Sequence, residues 1–338
     1  MKPLPTPVSL GDFPTPVFRA RELERGTTEL WVKHDGVSAE PYGGNKVRKL
    51  EWILGAARAR HPRRLLTTGA GGSHHVLATA VYAARVGIPV AAVLCPQPHT
   101  AHAEATLRAS LGLGVEPYRV GSMASVPFGV ARAFRRGDLF VPAGGSSALG
   151  SYGYARAVGE LSAQIRAGEL PEPDVIVVPL GSGGTAAGIL VGVLRERLGC
   201  RVIGVSVAVG ARVGRAVVLA LARAVARLEA DAPTTLQLAR ALEVDARHLG
   251  AGYGHATDAG ARATARARSV GLELDPTYTA KTFARALEEA HADGPDTASG
   301  RARVVLYWHT LSSRSLAPLL EAAPKELPEP LAPLLPRR

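Results

Sequence analysis

Apolar residues Val47, Leu50, Ile53, Leu54 and Ala57 recur at the spacing of one helix face. This predicts a helix with Lys46 in its first turn, entered through Gly43-Gly44-Asn45. The two glycines permit a tight turn and close approach to a ligand. Asn45 has the side chain of a helix N-cap. Apolar runs at 30–33, 65–68, 89–94, 115–120, 139–141, 175–178, 202–207 and 304–308 read as strands. The run at 175–178 is continuous, as in a parallel strand buried on both faces. Helical spacing returns at 76–84 and 186–194, and residues 211–250 read as helices. The order strand, glycine loop, helix, strand over 65–94 makes a βαβ unit. Residues 1–20 are expected to form an extended arm, and the Pro-rich stretch 324–338 to wrap the surface. The chain has no internal repeat.

A length of 338 residues suits two domains or one large α/β unit. The formal charge of +11 raises nucleic-acid binding as a class. The basic residues are scattered, however, and no helix-turn-helix, zinc-finger or RRM signature accompanies them. No nucleic-acid partner is expected. Cys95 and Cys200 stand apart in apolar contexts and fit a reducing compartment. There is no apolar signal core and no run long enough to span a bilayer, so a cytoplasmic protein without membrane association is expected. Cys95, His99, His102 and Glu104 are interrupted by Pro96 and Pro98 and miss every zinc spacing. They read as surface-loop residues, and no metal is expected.

The candidate chemistry lies in two glycine segments. Gly181-Ser182-Gly183-Gly184-Thr185 joins the strand at 175–178 to a helix start, where amides and dipole favour a phosphate. A dinucleotide would need an acid at the end of the next strand. Ser206-Val207-Ala208 offers none, and no Walker lysine follows the glycines. A single small phosphate fits better. Lys46 is one of few lysines in an Arg-rich chain, and its helix-dipole position favours a neutral amine. A lysine behind a glycine turn plus a monophosphate cup is what pyridoxal phosphate requires.

On these residues the chain resembles the D-cysteine desulfhydrase and 1-aminocyclopropane-1-carboxylate deaminase family. The resemblance rests first on the nine residues Gly43-Gly44-Asn45-Lys46-Val47-Arg48-Lys49-Leu50-Glu51. It extends through Pro14-Thr15-Pro16, Ser73-His74-His75, Gly144-Gly145-Ser146, Gly150-Ser151-Tyr152-Gly153-Tyr154, Gly252-Tyr253-Gly254, Asp275 to Lys281, and His309-Thr310. The Ser-x-Lys-Asp motif of sulfhydrylases and synthases with this fold is absent. The resemblance implies an α/β, two-domain fold type II (tryptophan synthase β-like), with mostly parallel twisted sheets flanked by helices. It implies a larger cofactor-binding domain of 1–48 plus 165–338, a smaller inserted domain of 49–164, and a homodimer.

It also implies roles. Lys46 would carry the cofactor and move protons at the substrate carbon. Asn45, His74, Ser182, Gly183, Gly184, Thr185 and Thr310 would contact the cofactor. Ser73, with the amides of His74 and His75, would hold the carboxylate of a small amino-acid substrate. Tyr253 and Tyr278 would stand near the reacting carbon. Deaminases of the family carry Glu and Leu where this chain has Thr279 and Thr310, and desulfhydrases carry Thr at both. The expected reaction is α,β-elimination of D-cysteine or a related amino acid to pyruvate, ammonia and sulfide. The alternatives are cyclopropane-amino-acid deamination and a cofactor-binding relative with little turnover. Three departures from the family pattern are His74 in place of Asn, Leu311-Ser312 in place of two glycines, and the loop 37–41.

Overall fold

The computed structural model describes residues 3–229, 231–292 and 301–336. Ten strands form two sheets. They are β1 (Val17–Arg19), β2 (Glu29–His34), β3 (Arg64–Ala70), β4 (Val90–Cys95), β5 (Glu116–Arg119), β6 (Asp138–Val141), β7 (Val175–Leu180), β8 (Arg201–Ser206), β9 (Leu242–Asp245) and β10 (Val304–His309). The helices are α1 (Lys46–Arg60), α2 (His74–Arg85), α3 (Ala101–Gly112), α4 (Val126–Ala133), α5 (Ala148–Arg166), α6 (Gly184–Arg195), α7 (Ala211–Ala226), α8 (Thr235–Ala241), α9 (Asp258–Ala267), α10 (Thr279–His291) and α11 (Ala317–Leu320).

One sheet runs β1-β2-β10-β7-β8-β9 and the other β5-β4-β3-β6. Every pairing is parallel except β1 with β2. Strands β4, β7 and β10 are buried along their whole length, which explains their unbroken apolar sequences. The fold is thus the α/β, mostly parallel arrangement expected.

Three local expectations need correction. The arm at 1–20 contains β1, whose three residues are too few to show alternation. Residues 211–250 are not all helical, because Leu242-Glu243-Val244-Asp245 forms the edge strand β9 beside β8. Its acids face arginines: Arg201 and Arg285 reach Glu243, and Arg285 reaches Asp245. The tail does more than wrap the surface. Leu331, Leu334 and Leu335 join the core beside the four-stranded sheet. The Leu334 carbonyl accepts a hydrogen bond from the Gln97 amide at 3.0 Å.

A buried ionic cluster fixes α1. Asp35 has no exposure and accepts from Arg48 Nη2 at 2.9 Å, Arg48 Nε at 3.1 Å, Tyr154 Oη at 2.6 Å and Trp308 Nε1 at 2.8 Å. Arg48 also donates to Glu160 at 2.8 Å and lies over the Phe13 ring. Lys33, fully buried, donates to Glu160 at 2.5 Å and Gln164 at 2.6 Å. Burial alone would raise the Asp35 pKa, but the Arg48 guanidinium outweighs it and holds the carboxyl at about 2.

Arg48→Met would leave the Asp35 charge buried without its partner. The expected loss is about 3–5 kcal/mol, read as a lower urea midpoint at pH 7. Because the folded-state pKa lies below the ordinary value, the pair's contribution is complete above pH ~4 and is lost as pH falls through about 2. Urea midpoints measured across that window should fall more steeply in the native protein than in the variant.

Candidate active site

A cavity of about 510 Å³ opens between the two sheets. It lies outside the carboxyl ends of β3 and β7, where open α/β sheets bind ligands. Gly69 and Ala70 of β3 line one wall and Pro179 and Gly181 at the end of β7 line another. Lys46 enters from the first turn of α1.

The turn that delivers Lys46 is tied to both ends of the chain. The Gly44 amide donates to the Asp35 carbonyl at 2.8 Å, and the Asn45 amide to the Thr310 carbonyl at 3.0 Å. The Gly43 amide donates to Ser312 Oγ at 3.0 Å. Gly44 has φ +88°, and a Cβ there would lie 2.8 Å from the Thr310 carbonyl, so only glycine suits the position. Asn45 holds the N-cap position, but its side chain makes no cap bond. Its Nδ2 instead donates to Thr185 Oγ1 at 3.0 Å, while its Oδ1 accepts from Lys46 Nζ at 2.6 Å. One amide therefore joins the lysine to the second glycine loop.

That loop, 181–185, opens α6. Gly183 has φ +88°, and a Cβ there would come 3.0 Å from Val217 of α7, so the turn requires glycine. Ser182 Oγ lies 2.7 Å from Ser146 Oγ, which accepts from the Gly184 amide at 3.1 Å. Lys49, one turn after Lys46, is buried and donates to the Gly144 carbonyl at 3.0 Å and Ser146 Oγ at 3.4 Å. Burial, then the neighbouring Lys46, pull its amine well below the ordinary lysine range.

Ser73 caps α2, accepting from the Val76 amide at 3.4 Å, and lines the cavity with His74 and His75. His74 Nδ1 meets Tyr42 Oη at 2.5 Å, and its ring lies 5.0 Å from that of His102. Burial, only partly offset by Asp275, drops the His74 pKa to about 4, so it is neutral at pH 7. On another wall Tyr278 donates to Tyr253 at 3.0 Å. Burial raises both phenols, Tyr253 to about 12, and keeps both protonated.

The sequence matches the family described as pyridoxal-phosphate dependent enzyme over residues 8–307. The chain belongs to that family. Among its relatives is the nocardicin C-9' epimerase of Nocardia uniformis subsp. tsuyamanensis, 33% identical over 307 residues that cover 88% of this chain and 90% of the relative. The D-cysteine desulfhydrase of Salmonella paratyphi A is 32% identical over 290 residues, 80% of this chain and 84% of the relative. A solved structure described as an ACC deaminase homologue superposes with a TM-score of 0.75 at 25% identity, covering 94% of this chain and 96% of its own. The fold is type II, and the cofactor of this pyridoxal-phosphate dependent enzyme is pyridoxal phosphate.

The residues present fit that cofactor. An amine lines the cavity on one side, and a loop of amides and hydroxyls without a carboxylate, 181–185, lines it on the other. A Cβ at Gly181 would come 2.8 Å from the Tyr278 ring, and one at Gly184 2.5 Å from Ser146 Oγ, so both glycines keep the cup open.

Every expected site residue lines this cavity: Lys46, Asn45, Ser73, His74, Ser182, Gly183, Gly184, Thr185, Tyr253, Tyr278 and Thr310. Thr279 does not line it. Its hydroxyl donates to Asp275 Oδ2 at 2.7 Å. His102 and Glu104 are not loop residues but belong to α3, and Cys95 ends β4. His99 pairs with Glu104 at 2.8 Å.

The cavity also holds groups that sequence reasoning passed over. Lys49 sits inside the very motif that singles out Lys46. Asp275 is buried and accepts from the amides of Thr277, Tyr278 and Thr279, an Asx-type cap that its Asp-Pro-Thr sequence could have signalled. Lys281 donates to the Leu249 and Gly252 carbonyls and so braces the loop carrying Tyr253.

Lys46 is half-buried and lines the cavity. Desolvation, opposed weakly by Asp275, lowers its amine to about 8. In cofactor-free protein, a limiting amount of an arylating reagent should modify Lys46 with a pH midpoint near 8, below the ordinary lysine range. Peptide mapping across pH 6–11 checks this.

Proposed function

We propose that the enzyme catalyses α,β-elimination from D-cysteine or a related β-substituted amino acid, releasing pyruvate, ammonia and sulfide. Lys46 holds the cofactor and then moves a proton at the α-carbon. Ser182, Gly183, Gly184 and Thr185 hold the phosphate, with the Lys49 amine behind Ser146 as a nearby proton-bearing group. Ser73 and the first amides of α2 hold the substrate carboxylate at the positive end of the helix. Tyr253 and Tyr278 face the reacting carbon as protonated donors. His74 and Asn45 would border the cofactor ring, and Thr310 would lie by its nitrogen.

When bound, pyridoxal phosphate supplies an electron-withdrawing ring conjugated with the substrate nitrogen, which acidifies the α-hydrogen. The chain's residues do the rest. Lys46, in its neutral form, accepts the proton from Cα, and its lowered pKa makes that form accessible near pH 8. The Tyr278–Tyr253 pair can donate to the departing sulfur. Loss of the Cα–H and Cβ–S bonds leaves 2-aminoacrylate, which one water converts to pyruvate and ammonia.

One observation carries the choice of elimination. Among the described residues that line the cavity, Asp275 is the only carboxylate, and it is engaged by three amides and a hydroxyl. The cavity wall at β10 instead offers the neutral Thr310 hydroxyl. Without an anion to keep the ring nitrogen protonated, the ring withdraws electrons less strongly. Elimination tolerates that, because the leaving sulfur relieves the carbanion. Opening a cyclopropane has no such outlet.

The kinship with an epimerase supports a second reading. Lys46 and the tyrosine pair are two proton-holding groups on different elements, as inversion at Cα requires.

The purified holoenzyme should absorb in the visible and lose that band on borohydride reduction, with the label on Lys46. Lys46→Ala should lack the band. D-Cysteine should yield pyruvate in stoichiometric amount with sulfide. Deuterium entry at Cα with both enantiomers and no pyruvate would select the second reading. 2-Oxobutanoate from 1-aminocyclopropane-1-carboxylate would overturn both.

A further inference from the structure

The cavity has an apolar rim that the chemistry above does not use. Met123, in the single 3-10 turn Met123–Ser125, and Val126, the first residue of α4, line the same cavity as Lys46 and Ser73. Met123 is 63% exposed, although it borders a deep cavity. An unbranched thioether left in that position is an adaptable surface for an apolar guest.

The rim is firmly mounted. Val126 and Val130 pack on the cluster of Leu66, Ala91, Val93 and Ala133. Gly129 lets α4 lie close to β4, since a Cβ there would come 2.7 Å from Val93. The rim also lies on a definite side. Met123 Sδ is 4.0 Å from Cys95 Sγ at the end of β4, and the loop after β4 touches the Tyr253 loop, where a Cβ at Gly254 would come 2.8 Å from Pro98. Met123 therefore stands on the side of the cavity that Tyr253 and Tyr278 line.

Charge is absent from this rim. The charged side chains lining the cavity are Lys46, Lys49 and Asp275, and each is bonded elsewhere: to Asn45, to Gly144, and to the start of α10. A substrate as small as cysteine would leave the rim wet.

We propose that Met123 and Val126 seat a bulky apolar group on the substrate sulfur, so that the preferred substrates are D-cysteine S-conjugates carrying an aryl or branched alkyl group. This rests on the elimination reading. The bonds broken are again Cα–H and Cβ–S. The sulfur leaves with the bonding pair, takes a proton and departs as a thiol, and one water completes pyruvate and ammonia. No oxidant or reductant enters.

Two measurements on the holoenzyme test the rim. The first follows pyruvate and thiol from D-cysteine, S-ethyl-D-cysteine and S-benzyl-D-cysteine. The expected kcat/KM rises roughly ten-fold or more along the series, as burial of a phenyl group permits. Met123→Asp should cost the S-benzyl substrate at least about five-fold more than D-cysteine, and Val126→Ser serves as a second variant. The second compares binding of D-alanine and D-homophenylalanine, which have no β-leaving group, by titrating the cofactor absorbance. Binding of D-homophenylalanine about ten-fold tighter, and weakened by Met123→Asp, upholds the rim even if no conjugate yields pyruvate. That combination sinks only the elimination reading. Equal affinities overturn the rim whatever the rates.

Discussion

The Asp35–Arg48 pair is the constraint on which the site depends. Neither group touches solvent appreciably, so each holds the other in place at close range. Arg48 is two residues beyond Lys46 on α1, and the backbone of Asp35 holds Gly44. The same residue thus pins the turn with its carbonyl and the helix with its carboxylate. Tyr154 of α5 and Trp308 of β10 bring two further elements to that carboxylate. A lysine whose reach is several flexible bonds gains a defined origin from this arrangement. The cluster is a costly way to stabilise a fold, since apolar packing of similar volume often does as well. What it adds here is position.

Within the cavity, desolvation sets the protonation states. Lys46, Lys49, His74 and His75 all shift toward their neutral forms, with burial as the leading cause. Tyr253 and Tyr278 shift the same way, toward the protonated phenol. The helix dipole offered a reason to expect a neutral Lys46, but burial is the larger effect. The site is therefore poor in fixed charge before any cofactor arrives. An incoming phosphate dianion would meet amides, hydroxyls and an amine able to take up a proton.

Much of this was legible along the chain, for identifiable reasons. Buried parallel strands and glycine-ended βα turns leave strong signatures, and so both glycine segments and the lysine between them stood out. Short edge strands leave weak ones, which is why β1 and β9 were missed. Asn45 has the residue type of a cap, yet its side chain spans to Thr185, a contact 140 residues away in sequence. No local rule anticipates such a bridge. Thr279 directly follows Tyr278, which lines the cavity, yet does not line it. One residue along a helix start turns a side chain by about 100°, and Asp275 takes it. His102 reads as a surface-loop residue from its proline-rich neighbourhood, because its ring partner, His74, lies on a different helix.

The leucines at 331–335 carry a consequence for how the molecule comes into being. A Cβ at Gly71 would lie 3.0 Å from the Leu334 carbonyl, so the loop leading to Ser73 rests directly on this late segment. The strands beside it are all translated early, yet their packing waits for residues made far later. During synthesis that unit emerges with part of its apolar floor uncovered.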